Sequence, residues 1–518
     1  MLYLPYAALL AAVTSAASTP EVPRVGALKM DFSVLRGSSL SSAKKGNVPA
    51  LIKRDGLAEL TLTNEQTYYS STLKVGSQGA ENDVVVDTGS SDLWVMSSDV
   101  DCSSTSTSFR RSIENFERFS HRRLMSFEMP DSTETDATDK NKRADSTNTC
   151  TASGSFNTAD SSSFQVNTTA PDFSISYADG TYATGYWGYD YIDFGSANVS
   201  DCSFAVVNDT SSDIGVFGIG LAQLETTYSG TTATSPYTYE NFPLRLKATG
   251  AINKVVYSLY LNSADALSGS VLFGAVDHAK YSGQLQTVPL VNIYSLFFTN
   301  PIRFDIVLDS ITLESSSQNV TVSSSSIAAL LDSGTTLTYL PSAILSSLVS
   351  LLDASTSSSG YYTVDCDYDS DDIYAVFNFS GVEIKVPMSD LIILLGFQCY
   401  LGVLEQSSSS LTSTTYAILG DNFLRNAYIV YDLEDYEISL AQVNFSSSED
   451  IETVTSSIPL AVQAEGYSST SLSTSIETGS TSSQLSSSGT KSSEGSSAVH
   501  LAKSLFIAVV GAGLVLVF

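Results

Sequence analysis

The sequence contains little histidine and few basic residues. Three His stand among 518 residues, and 25 Lys and Arg face 55 Asp and Glu, which gives a formal net charge of −30. A histidine-based metal site or a Ser-His-Asp triad therefore has little material to be built from. Binding to nucleic acid requires a basic face, so the charge also excludes that partner. We expect a secreted, acidic protein that needs no metal and no cofactor.

Long apolar runs are also scarce and occur only at the two ends. Residues 1–18 are apolar and end in small residues, which predicts a signal peptide although basic residues before the run are missing; a buried helix is the alternative. The last run, 505–518, is shorter than the roughly 20 residues of a membrane span. Because the small residues Ser493 and Gly495 precede it, residues 498–518 predict a signal for a glycosylphosphatidylinositol (GPI) anchor.

Three internal segments lack the pattern of a folded core. Residues 19–54 contain several basic residues and end in Lys53-Arg54, which predicts a propeptide removed after Arg54. Residues 103–149 form a long polar insert, of a kind that is usually functional or disordered. The insert is either cut after Arg143 or simply an intact, floppy loop. Residues 446–497 are dominated by Ser and Thr and predict a disordered, O-glycosylated stalk.

The remaining residues, 55–255 and 256–445, show short alternating strand patterns bounded by turn residues. They are too long for one ordinary core and predict two lobes. A helical pattern is confined mainly to residues 341–352. Six Asn-x-Ser/Thr sequons fit a secretory route, and they begin at Asn167, Asn198, Asn208, Asn319, Asn378 and Asn444.

One pattern occurs twice in these lobes. An apolar run is followed by Asp, a hydroxyl residue, Gly and two further hydroxyl residues, first as Asp87-Thr88-Gly89-Ser90-Ser91 and again as Asp332-Ser333-Gly334-Thr335-Thr336. Asp is unfavourable at the end of a strand on propensity alone, and Gly two residues later permits a tight turn. The repeat indicates a duplicated scaffold that brings two carboxylates together.

The two loops resemble the active-site loops of pepsin-like aspartic proteases. The resemblance continues in Asp92-Leu93-Trp94-Val95, in the flap-like Tyr177-Ala178-Asp179-Gly180-Thr181 and in Ile418-Leu419-Gly420-Asp421-Asn422. It covers about residues 65–445 and implies a mainly β, bilobal fold with the active site between the lobes. The propeptide, the insert, the stalk and the GPI signal together resemble the fungal yapsin subgroup.

The resemblance also assigns roles to residues. It implies that Asp87 and Asp332 activate a water molecule, while Tyr177 closes over the substrate with its hydroxyl group near Trp94. It further implies that Ser90 and Thr335 hydrogen-bond the two carboxylates. The residues that join and shape the two loops would be Thr88, Gly89, Ser333 and Gly334.

Five cysteines leave one unpaired when two disulfides form. By the same resemblance the disulfides are Cys102–Cys150, which closes the insert, and Cys366–Cys399. Cys202 remains, either as a small buried residue or, less favourably, as a partner in an intermolecular bridge.

Three residues are assigned to substrate binding, namely Asp92, Asp179 and Trp94. Acidic side chains near the cleft would attract Lys or Arg in a substrate, and the yapsin resemblance also favours mono- or dibasic sites. The alternative is that both acids are turn residues facing solvent.

The sequence thus predicts a cell-surface aspartic endopeptidase that cuts surface or wall proteins. We expect a monomer, or two disulfide-linked chains if the insert is cut, held by a GPI anchor on the membrane or transferred to wall glucan. The competing prediction is a catalytically silent GPI-anchored wall glycoprotein with the same fold. Both Asp-containing loops are complete, which favours the enzyme.

Overall fold

The computed structural model describes residues 27–36, 67–102 and 150–478, except for short gaps at 178–180, 195–196, 231–232, 234, 267, 358–360, 370–371, 396, 407–413 and 474. The predicted signal peptide, the insert 103–149 and the predicted GPI signal lie outside the described residues. So do Arg54, Arg143, Asp179, Ser493 and Gly495.

Strands dominate the described part of the chain. Those of the first half are β1 (Leu28–Arg36), β2 (Thr67–Val75), β3 (Ala80–Asp87), β4 (Leu93–Asp101), β5 (Gln165–Val166), β6 (Phe173–Ser176), β7 (Tyr182–Phe194), β8 (Ala197–Thr210) and β9 (Gly215–Gly218). Those from residue 256 to residue 331 are β10 (Val256–Tyr260), β11 (Ser268–Phe273), β12 (Ala275–Asp277), β13 (Tyr281–Pro289), β14 (Asp305–Leu308), β15 (Ser310–Glu314), β16 (Asn319–Ser323) and β17 (Ile327–Leu331). The remaining strands are β18 (Thr338–Leu340), β19 (Ser355–Thr356), β20 (Tyr362–Val364), β21 (Tyr374–Phe379), β22 (Val382–Pro387), β23 (Ile392–Leu395), β24 (Gln398–Leu401), β25 (Val403–Glu405), β26 (Tyr416–Leu419), β27 (Ala427–Asp432), β28 (Glu437–Val443), β29 (Ile451–Thr453) and β30 (Val462–Gln463).

Helices are short. They are α1 (Thr226–Ser229), α2 (Phe242–Ala248), α3 (Ser342–Leu351), α4 (Met388–Leu391) and α5 (Asp421–Leu424), with 3₁₀ turns at Ala222–Leu224, His278–Lys280 and Cys366–Tyr368. Helix α3 confirms the helix predicted over 341–352. Its apolar residues at helical spacing are buried, and Pro341 precedes it as the N-cap residue.

The largest sheet has fifteen strands in the described residues and runs through both lobes. Its order is β30-β13-β28-β27-β10-β11-β1-β2-β3-β9-β4-β8-β7-β5, with β6 paired to β7. The strand that leads into the Asp332 loop, β17, belongs to a separate sheet of the second lobe with the order β14-β17-β26-β18-β25. The mainly β prediction is confirmed, and each candidate catalytic loop follows a strand that is paired on both sides.

Strand β1 lies inside the predicted propeptide and yet occupies the middle of the large sheet. It pairs antiparallel with β11 (Met30 opposite Val271) and with β2 (Val34 opposite Tyr69). The predicted propeptide therefore contributes the strand that links the pairing partners of the two lobes.

The chain does not leave the second lobe at residue 445, so the prediction of a disordered stalk from residue 446 is wrong for residues 446–478. Strand β29 pairs with β12, and β30 pairs in parallel with β13. Val454 and Ile458 are buried in a cluster with residues of β10, β12 and β27. We call residues 446–478 the strap.

The physical reason lies in the surface that the strap covers. A Ser-rich segment cannot build a hydrophobic core of its own. A few apolar residues are enough to hold it in place when the folded second lobe supplies the apolar surface against which they pack. Backbone bonds add to this: Val454 N donates to Gly274 O at 2.8 Å and Ala464 N donates to Thr287 O at 2.9 Å.

Both expected disulfides are present, Cys102–Cys150 and Cys366–Cys399, with Cα atoms 6.0 and 5.3 Å apart. Cys202 is a free, buried thiol, and burial raises its pKa to about 12. Of the sequon residues, Asn198, Asn208, Asn319 and Asn444 are exposed, whereas Asn167 and Asn378 are partly buried. Within the described residues, no helix has the length and apolarity to cross a bilayer.

Candidate active site

The first candidate catalytic residue, Asp87, ends the buried strand β3. This strand pairs in parallel with β9, and Asp87 lies opposite Gly218. The pairing holds the loop from behind, because Ile219 N donates to Asp87 O at 2.9 Å and Gly220 N donates to Ser90 O at 2.8 Å. The apolar run that predicted a strand therefore brings a carboxylate to the end of a rigid ladder.

The second candidate, Asp332, directly follows β17. All five residues of β17 are buried, and the strand lies between β14 and β26. Asp332 N donates to Leu419 O at 3.1 Å, so the loop is tied to the neighbouring parallel strand. This arrangement repeats that of Asp87 beside β9 and supports the prediction of a duplicated scaffold.

Reciprocal hydrogen bonds join the two loops across the lobes. Thr88 Oγ1 donates to Leu331 O at 3.0 Å, and Ser333 Oγ donates to Val86 O at 2.8 Å. In return Ser333 N donates to Thr88 Oγ1 at 3.0 Å, and Thr88 N donates to Ser333 Oγ at 3.2 Å. All four bonds are buried, so the two loops form one unit.

The two carboxylates approach each other across the glycines. A Cβ added to Gly89 would collide with the carboxylate of Asp332, and one added to Gly334 would collide with that of Asp87. Glycine is therefore required at both places by close approach rather than by backbone angle. Asp87 and Asp332 are buried, with 6% and 5% exposure.

Each carboxylate is also held by its own loop. Ser90 Oγ donates to Asp87 Oδ2 at 2.5 Å, and Thr335 Oγ1 donates to Asp332 Oδ2 at 2.7 Å. Gly89 N and Gly334 N donate to the other oxygens, at 2.7 and 2.9 Å. Burial, followed by the negative charge of Asp332, raises the pKa of Asp87 to about 8, although the Ser90 and Gly89 donors oppose the rise.

Tyr177 and Trp94 meet as expected. Trp94 Nε1 donates to Tyr177 OH at 2.7 Å, between the first lobe's core and the hairpin formed by β6 and β7. Strands β6 and β7 pair on either side of the flap-like residues 177–181. The indole is fully buried, so Trp94 supports Tyr177 rather than offering a surface to a ligand.

The position of Asp92 does not fit the substrate-binding role predicted for it. It is 1% exposed, and both of its oxygens are occupied within the lobe: Thr226 N donates to Oδ2 at 2.9 Å and Tyr239 OH donates to Oδ1 at 2.7 Å. Burial is the main cause that raises its pKa to about 6. Because Asp92 follows the first loop in sequence, we predicted that it lies in the cleft. Its side chain instead points into the lobe, where it bonds Thr226 of α1 and so links α1 to the loop.

Two buried acids close to the Asp-containing loops had received no role from the sequence. Glu225 lies beside Asp92; Tyr239 N donates to its Oε2 at 2.7 Å, and burial with the nearby Asp92 charge raises its pKa to about 10. Asp421 begins α5 and belongs to a matched motif, and burial raises its pKa well above the usual range despite Arg425. The motif was the only signal for Asp421; Glu225 stands in a stretch without a distinctive pattern.

Comparison with known proteins agrees with this geometry. The model of the eukaryotic aspartyl protease family matches residues 68–443. Aspartic proteinase 3 of Saccharomyces cerevisiae is 45% identical, over 87% of this chain and 84% of its own. Secreted aspartic protease 9 of Candida albicans is 43% identical over 82% of this chain and 86% of its own. Aspartic proteinase yapsin-3 of S. cerevisiae is 38% identical over 90% of this chain and 83% of its own.

A solved structure supports the fold alone. The aspartic proteinase from Irpex lacteus superposes with a TM-score of 0.53 at 18% identity, over 74% of this chain and 96% of that one. The repeated Asp loops, their mutual hydrogen bonds and these similarities lead to one conclusion: the chain belongs to the eukaryotic aspartyl protease family, as an aspartic-type endopeptidase similar to the yapsins.

Proposed function

We propose that Asp87 and Asp332 are the catalytic pair of this endopeptidase and act through a shared proton. The observation that carries the proposal is the mutual packing of each carboxylate against the glycine of the opposite loop. Since both groups are buried and close, ionising both is unfavourable, and one proton stays on the pair at working pH. Shared-proton carboxylates are the established pattern of this enzyme class.

In the proposed reaction the ionised carboxylate takes a proton from a water molecule, and the water oxygen forms a bond to the carbonyl carbon of the substrate. The protonated carboxyl donates a hydrogen bond to the carbonyl oxygen and stabilises the developing negative charge. The C–N bond then breaks as a carboxyl proton passes to the leaving amine. The reaction regenerates a pair with one proton, so neither residue forms a covalent intermediate.

The supporting residues have separate tasks in this proposal. Ser90 and Thr335 stabilise the ionised form, because their hydroxyl groups donate to the carboxylates. Thr88 and Ser333 fix the distance between the loops. Tyr177 would close over the peptide from the hairpin, positioned by Trp94 Nε1.

We further propose a preference for Lys or Arg beside the scissile bond and a place on the cell surface. An excess of acidic residues, 55 against 25 basic ones, raises the local concentration of basic peptides. Asp179 remains the candidate for a direct contact, whereas Asp92 is withdrawn because its oxygens are occupied. A relative named secreted aspartic protease supports secretion, and retention at the surface by a GPI anchor or a glucan linkage is proposed from residues 498–518.

A fluorogenic peptide series tests the proposed preference. Peptides that differ only at the residue before the scissile bond, Lys, Arg, Leu or Phe, should be cut with clearly higher kcat/KM for the basic pair. Asp179→Asn should reduce that difference without reducing turnover of the Leu peptide. Equal turnover of all four peptides by the unchanged enzyme would refute the preference.

A further inference from the structure

One buried acid of the first lobe, Glu225, has no positive partner among the described residues. It directly precedes α1 and is 0% exposed. Tyr239 N donates to its Oε2 at 2.7 Å, while Oε1 is buried without a hydrogen-bond partner in the described part of the chain. The negative charge of Asp92 acts on it as well. A carboxyl group buried beside another acid, with no cation to pair with, is too costly to ionise, so Glu225 carries a proton.

Tyr239 is held from two directions by these two acids. Its N–H is bound to Glu225, and its hydroxyl group donates to Asp92 Oδ1 at 2.7 Å. Asp92 is the last residue before β4, five residues after Asp87. Its other oxygen accepts from the N–H of Thr226, the residue that follows Glu225. The two acids therefore fix Tyr239 and α1 relative to the first catalytic loop.

The ring of Tyr239 carries this attachment into the hairpin of β6 and β7. It packs edge-on against Trp187 of β7, with ring centroids 5.1 Å apart, and Trp187 packs edge-on against Phe173 of β6 at 5.3 Å. Edge-to-face contacts are favoured by the charge distribution of aromatic rings and hold a defined geometry. We call Glu225, Asp92, Tyr239, Trp187 and Phe173 the clamp.

The clamp holds the base of the hairpin, whereas Trp94 holds its tip. Phe173 lies four residues before Tyr177, whose hydroxyl group accepts from Trp94 Nε1. Asp92 and Trp94 are only two residues apart at the start of β4. Both attachments therefore start from the same end of the first catalytic loop. A hairpin held at its tip alone could still tilt, and the clamp prevents this.

We propose that Glu225 is a positioning residue of the endopeptidase, which in its neutral form holds Tyr239 and thereby sets the angle at which the β6–β7 hairpin lies over the bound peptide. Glu225 is fully buried, so it acts through the clamp and not by touching the peptide. The proposal rests on the proposed closure of Tyr177 over the peptide and on the proposed catalytic pair. Opening of the clamp should weaken peptide binding and leave the chemical step of the bound peptide intact.

The clamp also makes peptide binding depend on pH. Burial and the charge of Asp92 raise the pKa of Glu225 in the closed clamp, whereas an opened clamp would release the proton at the ordinary pKa of a glutamate. Each pH unit above that ordinary value therefore favours the open form tenfold. Asp92, whose pKa is raised to about 6, adds to the trend below that pH. The other titratable groups facing the clamp, Tyr239 and Tyr237, have raised pKa values and stay neutral.

Peptide kinetics with the purified, processed enzyme test the positioning role. Glu225→Ala removes the acceptor for Tyr239 N, so KM at pH 5 should rise about two- to tenfold, while kcat at saturating peptide stays unchanged. Glu225→Gln keeps an oxygen that can accept the bond but has no proton to lose, so its KM at pH 5 should match that of the unchanged enzyme. Between pH 5 and 7 the KM of the unchanged enzyme should rise more steeply than that of Glu225→Gln.

A matched control and a folding check separate positioning from general damage. Glu81→Gln changes an exposed acid of β3 and should alter neither KM nor its pH dependence. Tryptophan fluorescence shows whether Glu225→Ala is folded at the assay temperature; if it is not, the pH dependence of Glu225→Gln decides.

Two results would overturn the proposal. One is an unchanged KM, or an equal fall in kcat, for folded Glu225→Ala. The other is a KM of Glu225→Gln that rises with pH as steeply as that of the unchanged enzyme. Failure of the catalytic proposal looks different, because Asp87→Asn would then remain active while the KM results for Glu225 stand.

Discussion

The strap offers the sharpest test of an unexpected feature of the fold. Ile458 and Ile451 are both isoleucines of the strap, but Ile458 is 8% exposed and packs with Val276 and Val430, whereas Ile451 is 42% exposed. Replacing each by Ala removes the same atoms from two different environments. Only the buried site should respond if the strap is part of the second lobe.

The expected size follows from burial. An Ile→Ala change in a core typically costs about 2–5 kcal/mol, through lost burial and the cavity left behind. We expect about 3 kcal/mol for Ile458→Ala and less than about 0.5 kcal/mol for Ile451→Ala, since exposed sites are tolerant. If the second lobe unfolds as its own unit, its midpoint should fall by about 6–10 °C in the first variant.

Calorimetry is the appropriate assay because the two lobes need separate readouts. Both tryptophans, Trp94 and Trp187, lie in the first lobe, so fluorescence follows that lobe. Ile458→Ala should move the calorimetric transition of the second lobe more than the fluorescence transition. Equal midpoints for Ile458→Ala, Ile451→Ala and the unchanged protein would refute the packed strap.

Three further predictions concern the first lobe and the catalytic pair. Asp92 and Glu225 have raised pKa values, so the native state keeps protons that the unfolded chain has lost, and its stability should fall as pH rises above about 4. Glu225→Gln should flatten that fall in fluorescence-detected melting between pH 5 and 8; an unchanged slope would contradict it. Ser90→Ala removes a donor that stabilises ionised Asp87, so the pKa of Asp87 should rise and the basic limb of the kcat/KM profile should move to higher pH; an unmoved basic limb would count against the assigned bond. Tyr177→Phe removes the acceptor for the buried Trp94 N–H, so it should lower kcat/KM about two- to tenfold and cost about 1–3 kcal/mol of stability; full activity would show that this bond is dispensable for catalysis.

The repeated motif made most of the active site predictable. Asp87, Asp332 and their hydroxyl neighbours stand in a pattern whose apolar runs are the strands β3 and β17, and the turn glycines are required by close approach. Local sequence determines such loops because strand, turn and side-chain donor lie within a few residues of one another.

Features that depend on distant partners were harder to predict. Asp92 was assigned to the cleft because of its neighbours in sequence, but its direction depends on Thr226 and Tyr239. Glu225 owes its raised pKa to burial by the lobe around it. In both cases the contact partner lies far along the chain, and composition carries no information about it.

The strap shows the same limit at the level of a segment. Its Ser-rich composition indicated disorder, yet Val454, Ile458 and Ala464 are buried against a surface that other strands provide. Ser326 N donates to Ser473 Oγ at 3.0 Å, so hydroxyl residues also serve as bonding partners there. Composition measures whether a segment can fold alone, and this one does not have to.

Substitution of the catalytic pair tests the central claim most directly. Asp87→Asn and Asp332→Asn keep the size of each side chain but remove one titrating group, so the pair can no longer pass a proton between water and leaving amine. We expect each variant of the purified, processed enzyme to retain its melting temperature within a few degrees and to lose at least about a thousandfold in kcat on a fluorogenic peptide. Folded Asp87→Asn or Asp332→Asn protein that cuts the peptide at the rate of the unchanged enzyme would contradict the account.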